Sequence, residues 1–202
     1  DFHSVVVQVV SREDTRLLGR VLSGGQIGSN KGVSCDRTIF LPPFTQTDRE
    51  AFVLARDLGI SCFALSFTSS KEDVAQLRSF FPYPIVVISK IESKKGLQNL
   101  EGICLVSDAV LIDRGDLSRE IPLSKIAFAQ KSIIERARQV NTPVYVATNL
   151  LESMIRDFRP TRAEINDISS TILDGAKGLV LASETAIGKY PVQSVRIVSS
   201  IV

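Results

Sequence analysis

Residues 85–116 read IVVISKIESKKGLQNLEGICLVSDAVLIDRGD. Two apolar, β-branched runs stand in this stretch, Ile85 to Ser89 and Ala109 to Asp113, and each closes on a charged cluster. Lys90-Ile91-Glu92 follows the first run, and Asp113-Arg114-Gly115-Asp116 ends the second. Short runs that stay apolar throughout, without alternation, are the pattern of strands in a buried parallel sheet. A cation and two carboxylates at the ends of adjacent strands are the parts needed to hold a divalent metal against a phosphorylated acid. The strongest reading of the stretch is a phosphate-handling metal site.

Strand and helix alternate on both sides of it. Upstream, Phe52, Ala55 and Leu58 space out one face of a helix expected to start at a capping box, Thr47 with Glu50, and to stop at Gly59. Cys62 to Phe67 reads as a buried strand, and Val74, Leu77 and Phe81 mark a helix ended by Pro82 and Pro84. Downstream, Ser124 to Val140 carries Ile126, Ala129, Ile133, Ala137 and Val140 on one face, and Pro143 to Thr148 is the next strand. Thr161 and Glu164 form a second capping box, whose helix bears Ile165, Ile168 and Ile172 and closes at Gly175. The strand Gly178 to Ala182 and a helix near Val192 to Val202 complete the series. Before residue 39 the texture differs: Val5 to Val10, Leu17 to Leu22 and Gln26 to Val33 are broken by Ser, Gly and Asn, which suggests antiparallel β structure.

About five apolar strands alternating with helices predict an α/β fold, a parallel sheet covered on both sides by helices. A closed (β/α)8 TIM-type barrel gathers its functional residues at the ends of several strands, whereas an open doubly wound sheet gathers them at one switch point. Polar residues recur at strand ends along the whole series: Ser66, Lys90 and Glu92, Asp113 to Asp116, Thr148, and Ser183 with Glu184. That distribution favours the barrel. The domains expected are 1–38, a short β segment, and 39–202, a partial barrel.

The 202 residues carry 24 basic and 22 acidic side chains, with 44% hydrophobic content. This balance argues against a nucleic-acid partner or a polybasic membrane surface, and no transmembrane run is visible. Cys35, Cys62 and Cys104 are an odd, widely spaced set, expected as buried thiols in a reducing compartment rather than as disulfides or zinc ligands. His3 by itself anchors neither a metal cluster nor a triad.

Several strings in order resemble the pyruvate kinase family: ISKIES around Lys90, RGDLSREIP from Arg114, AQK at Ala129, ATNLLESM from Ala147, RPTRAE from Arg159, LDGA from Leu173 and SETAIGKYP from Ser183. LPPFTQTDRE from Leu41 resembles the family's entry into its barrel, and GSNKGV from Gly28 the exit from its inserted β domain. The resemblance implies roughly the last five βα units of the barrel, preceded by a remnant of the inserted lid domain. It implies phosphoryl transfer from phosphoenolpyruvate to ADP, giving pyruvate and ATP, with Mg²⁺ or Mn²⁺ and with K⁺ whose ligands lie outside this segment. Lys90 would stabilise the phosphoryl group, Glu92 and Asp116 would bind the divalent metal, and Gly115 and Asp116 would offer backbone donors to the substrate carboxylate. Thr148 would place a hydroxyl near the carbon to be protonated. A cytoplasmic homo-oligomer joined through barrel helices is expected, with an organellar copy as the other option. Thr161, Arg162 and Glu164 fit a helix cap and a subunit contact.

Other readings remain open at this point. The Lys90–Glu92 pair also fits a strand-end salt bridge, and Arg114 with Asp116 a loop brace. Asp113 stands where the family has alanine, Ser118 and Arg119 replace Gly-Val, Asn149 replaces glutamine, and Ala182-Ser183 replaces Ser-Gly before Glu184. Two like charges about 4 Å apart at an effective dielectric of about 20 repel by roughly 4 kcal/mol. Asp113 would therefore oppose an acidic substrate unless the metal or Arg114 neutralises it, or it points elsewhere. These departures motivate a catalytically degenerate subunit with an assembly or regulatory role as the alternative. Another metal-dependent barrel enzyme acting on an oxoacid, such as an aldolase, is the third reading.

Overall fold

A computed structural model describes residues 5–29, 32–37, 39 and 41–202. The chain divides into two compact units, Asp1–Phe40 and Leu41–Val202. His3, Asn30 and Lys31 lie outside the described residues.

In the first unit, β1 (Val6–Glu13) pairs antiparallel with β2 (Arg16–Ser23) through a turn that holds Asp14 at φ 48°. The expected third run, Gln26 to Val33, forms no strand among the described residues. Gly24, Gly25, Gly28 and Gly32 crowd that stretch, and glycine has the most conformational freedom to lose on entering a strand.

The second unit starts with α1 (Gln46–Asp57), β3 (Cys62–Leu65), α2 (Lys71–Ser79) and β4 (Val86–Ile91). Two short helices, α3 (Lys94–Gln98) and α4 (Leu100–Val106), lead into β5 (Ala109–Asp113) and α5 (Arg114–Glu120). Then follow α6 (Ile126–Gln139), β6 (Val144–Ala147), α7 (Arg162–Leu173), β7 (Gly178–Val180), α8 (Ser183–Ala186) and α9 (Pro191–Ile201). The five strands pair in parallel in the order β3-β4-β5-β6-β7. This order follows the chain without the reversal that defines a switch point, so the unit is barrel-like rather than doubly wound.

Helix ends follow local chemistry. The box at the start of α1 is Thr45 with Asp48, two residues before the expected Thr47 and Glu50: Thr45 accepts from the Asp48 amide, and its own amide donates to Asp48 Oδ2 at 2.7 Å. Gly59 (φ 67°) ends α1, Asn141 (φ 58°) ends α6 and Gly175 (φ 106°) ends α7. All three use one device, in which the left-handed residue's amide returns to a carbonyl of the last turn and the next amide reaches one residue further back. For α7 these bonds are Gly175 N to Ile172 O, 2.9 Å, and Ala176 N to Thr171 O, 3.2 Å.

The helical core lies on one face of the sheet. Ile91 from β4, Val110 and Ile112 from β5, and Val144 and Val146 from β6 bury against Leu100, Ile103, Ile133, Ile134 and Ala137. A second cluster joins Phe44, Ala55, Val74, Leu77 and Phe81 to Val87, and a third gathers Leu150, Leu151, Met154 and Ile168. The alternate strand positions differ: Val86 is exposed, and Ile88, Lys90, Leu111 and Tyr145 are half-buried. Coverage on both faces, as expected from the apolar runs, is therefore corrected to coverage on one. A barrel's helices form only an outer ring, so its strands read as apolar on both faces while just one meets helices.

Cys62 corrects the thiol expectation too. It sits on β3, which has one strand neighbour in this sheet, and is exposed, as is Cys35, whereas Cys104 is buried. Burial pushes the Cys104 thiol up to about 11. Because the thiolate is the reactive form, aromatic disulfide reagents at pH 8 are expected to label Cys35 and spare Cys104 until urea unfolds the chain. Labelling of Cys104 at the rate of Cys35 would contradict its packing. No helix among the described residues is long and apolar enough to cross a membrane.

Candidate active site at the ends of three strands

Parallel strands bring their carboxyl ends to one edge. Pairing places Lys90 beside Leu111, and Asp113 beside Ala147, which precedes Thr148. Lys90, Glu92, Asp113, Asp116 and Thr148 thus leave β4, β5 and β6 at the same edge.

Glu92 is fully buried, and its Oε2 accepts from the Phe67 amide at 2.5 Å. Phe67 sits beyond β3 at φ 51°, a left-handed turn that points this amide at the carboxylate. The other oxygen, Oε1, lies 2.7 Å from Lys90 Nζ, close enough for an ion pair, yet no well-directed hydrogen bond reaches it. Lys90 Nζ is also 3.4 Å from Asp113 Oδ2. Burial works against the Lys90 ammonium, but the close contact and charge of Glu92, followed by the charge of Asp113, outweigh it and hold its pKa above the ordinary lysine value. The residue is a fixed cation at neutral pH.

Asp113 is the N-cap of α5. Its Oδ1 accepts from the Thr148 hydroxyl at 2.8 Å and, more distantly, from the Asp116 amide at 3.4 Å. The counter-charge for Asp113 is therefore Lys90, not Arg114, which points elsewhere. The Asp116 amide, expected to await a substrate carboxylate, is already turned toward this cap. The Asp116 side chain forms an ion pair with Arg119 one turn along α5. Among the described residues, Glu92, Asp113 and Asp116 form a group able to hold a metal ion, each offering one oxygen within 4.8 Å of the others.

Thr148 and Asn149 stand at φ 75° and 56°. A β-branched residue in that region is strained and persists only where its surroundings impose it. Arg114 supplies the constraint. Its Nε and Nη2 donate to Thr148 O at 2.9 and 2.7 Å, Nη2 donates to Asn149 O at 3.0 Å, and Nη1 meets Asp167 Oδ2 at 2.7 Å.

The remaining expected residues lie around this centre in structural roles. Gly115 is buried in the first turn of α5, and Ser118 donates to the Gly115 carbonyl at 2.7 Å. The Asn149 amide pairs with Glu152. Glu184 is buried away from the carboxylate group, accepting from the Leu151 amide at 3.0 Å and the Ala182 amide at 2.9 Å, which ties the end of β6 to the turn after β7. Ser183 opens α8. Glu164 closes the capping box of α7 and also accepts from Ser153 N at 2.7 Å and Ser153 Oγ at 2.6 Å.

Burial acts to raise the Glu164 pKa, but hydrogen bonds from Ser153 and then Thr161 win and hold it below its ordinary value of 4.5. A depressed folded pKa contributes stability above the unfolded value that is lost as pH falls through the folded one. Glu164→Gln is expected to cost about 1 kcal/mol at pH 7 and progressively less below pH 4.5. Urea unfolding at both pH values checks this, and a pH-independent difference would contradict it.

Sequence reasoning missed the Phe67 amide, the Arg119–Asp116 pair and the Arg114 clamp. Only the second had a visible signal, a basic residue three positions after an acidic one on a helix.

The chain matches the family described as "Pyruvate kinase, barrel domain" over residues 2–195. It belongs to the pyruvate kinase family. Relatives include the pyruvate kinase of Thermotoga maritima, 40% identical over 201 residues, which covers 98% of this chain and 43% of that protein. That of Mycobacterium tuberculosis is 39% identical, covering 98% and 43%. That of Methanocaldococcus jannaschii is 38% identical, covering 98% and 45%. The chain thus spans less than half the length of these pyruvate kinases.

Proposed function

We propose that this chain supplies the divalent-metal and phosphoryl-binding half of a pyruvate kinase active site, in a protein that transfers phosphate from phosphoenolpyruvate to ADP. The observation that carries the reading is the meeting of Lys90 with Glu92, Asp113 and Asp116 at one sheet edge, with a buried Glu92 oxygen that receives no hydrogen bond. Hard carboxylate oxygens suit Mg²⁺ or Mn²⁺, and a buried anionic oxygen held by an ion pair without a well-directed hydrogen bond is the kind of atom such an ion satisfies. A divalent cation there would neutralise phosphoryl and enolate oxygens. Lys90, fixed as a cation, would face the transferring phosphoryl group. Thr148 would present its hydroxyl at the same edge, and the Gly115 amide would face the substrate carboxylate, while the Asp116 amide stays turned toward the Asp113 cap. Residues 1–38 fit the end of an inserted lid domain and residues 39–202 the barrel. K⁺ ligands outside this segment, a cytoplasmic location and a homo-oligomer joined through barrel helices complete the proposal.

A coupled assay of the full-length protein with Mg²⁺, K⁺, phosphoenolpyruvate and ADP tests it. Turnover within the ordinary enzyme range of about 1–10³ s⁻¹ is expected. One observation favours a second reading, a degenerate subunit: Arg119 engages Asp116, the carboxylate meant for metal. Absence of turnover at saturating substrates would select that reading.

A further inference from the structure

The geometry points to Asp113 as a third carboxylate ligand of the divalent cation, beside Glu92 and Asp116; this rests on the metal site proposed above. Three features single out Asp113. The Thr148 hydroxyl and the Asp116 amide hold its Oδ1, which fixes the carboxylate plane and turns Oδ2 toward Lys90 at 3.4 Å. One oxygen from each acid lies within 4.8 Å of the others. On an octahedral Mg²⁺ opposite ligands are about 4.2 Å apart and adjacent ones about 3.0 Å, so shifts of about 1 Å per oxygen bring all three into coordination. Charge agrees: three carboxylates face two cations, Lys90 and Arg119, which leaves one negative charge uncompensated. An acidic group alone carries little weight, but here the fully buried Glu92 Oε1 receives no well-directed hydrogen bond and is balanced by the Lys90 ammonium 2.7 Å away, a contact that a divalent cation can replace. The carboxylate that seemed to oppose an anionic substrate is instead part of what binds the cation to receive it.

The test uses Mn²⁺ alone, with no nucleotide or substrate, on the full-length protein. Free Mn²⁺ is counted by electron paramagnetic resonance, and the thermal midpoint is followed in parallel. Asp113→Asn keeps the side chain's shape, the α5 cap and an acceptor for Thr148 while removing the charge. Mn²⁺ affinity is expected to fall at least about tenfold. Asp113→Ser, which still caps the helix, is expected to show the same loss. Affinity within twofold of wild type in either folded variant overturns the inference and leaves Asp113 as a helix cap. Glu92→Gln separates the two claims. If it also leaves Mn²⁺ binding unchanged, the metal site itself fails; if it weakens binding while the Asp113 variants do not, only the third ligand fails. Should both Asp113 variants unfold, the manganese position in wild-type crystals decides: about 2.1 Å from an Asp113 oxygen supports the inference, and beyond about 3 Å overturns it.

Discussion

Lys90→Met is expected to lower turnover of the full-length protein by at least about 10³-fold and to destabilise the metal-free protein by about 3 kcal/mol. Both effects come from one ammonium between Glu92 and Asp113. Methionine replaces the apolar stem but leaves Glu92, which is fully buried, without a counter-charge. Breaking a buried pair by removing one partner costs more than the pair contributes, because an uncompensated charge stays behind. The stability loss is expected to shrink when Mn²⁺ saturates the site, since a cation bound to the folded state stabilises it and restores the missing positive charge. Urea unfolding with and without Mn²⁺ measures this. An equal loss in both conditions would mean that the ion does not sit beside Glu92.

Arg114→Ala is expected to destabilise the protein by about 3 kcal/mol, with Arg114→Lys recovering less than half of that. The guanidinium spans the Thr148 and Asn149 carbonyls and the Asp167 carboxylate at once, and lysine's single ammonium lacks that planar fork. Thr148 and Asn149 hold left-handed conformations that cost of order 1–3 kcal/mol each when nothing imposes them. Releasing the clamp lets this turn relax and carries the Thr148 hydroxyl away from Asp113. Urea denaturation reads the stability change, and a rise in KM larger than the fall in kcat is the companion signature. Wild-type stability in Arg114→Lys would show that a point charge suffices.

Much of this was legible in the sequence. Alternating apolar runs and helical stripes give the order β3 to β7, and glycine at 59 and 175 marks helix ends because a left-handed residue is needed there. The short helices α3, α4 and α8 passed unseen, since four to seven residues carry too little periodicity to be told from a loop. Thr45 and Thr47 both stand before acidic residues three positions on, and only the entry of the chain into α1 decides which one caps. At the site, Lys90, Glu92 and Asp116 announced themselves by ending apolar runs. The partner of Asp113 did not: Arg114 is its sequence neighbour, but alternation along a strand and the parallel register with β4 put Lys90 beside it. The Phe67 amide had no signal, since a backbone donor is the same in every residue. Thr148 is the opposite case, because β-branching argues against the conformation that it adopts under tertiary constraint.

Anomalous scattering from crystals of the full-length protein grown with Mn²⁺ locates the cation outright. The expected result is a single strong peak about 2.1 Å from carboxylate oxygens of Glu92 and Asp116, with Lys90 Nζ no longer closest to Glu92 Oε1. A peak bound elsewhere, with Lys90 still seated against Glu92 and Asp113, would contradict a metal centre at this edge of the sheet.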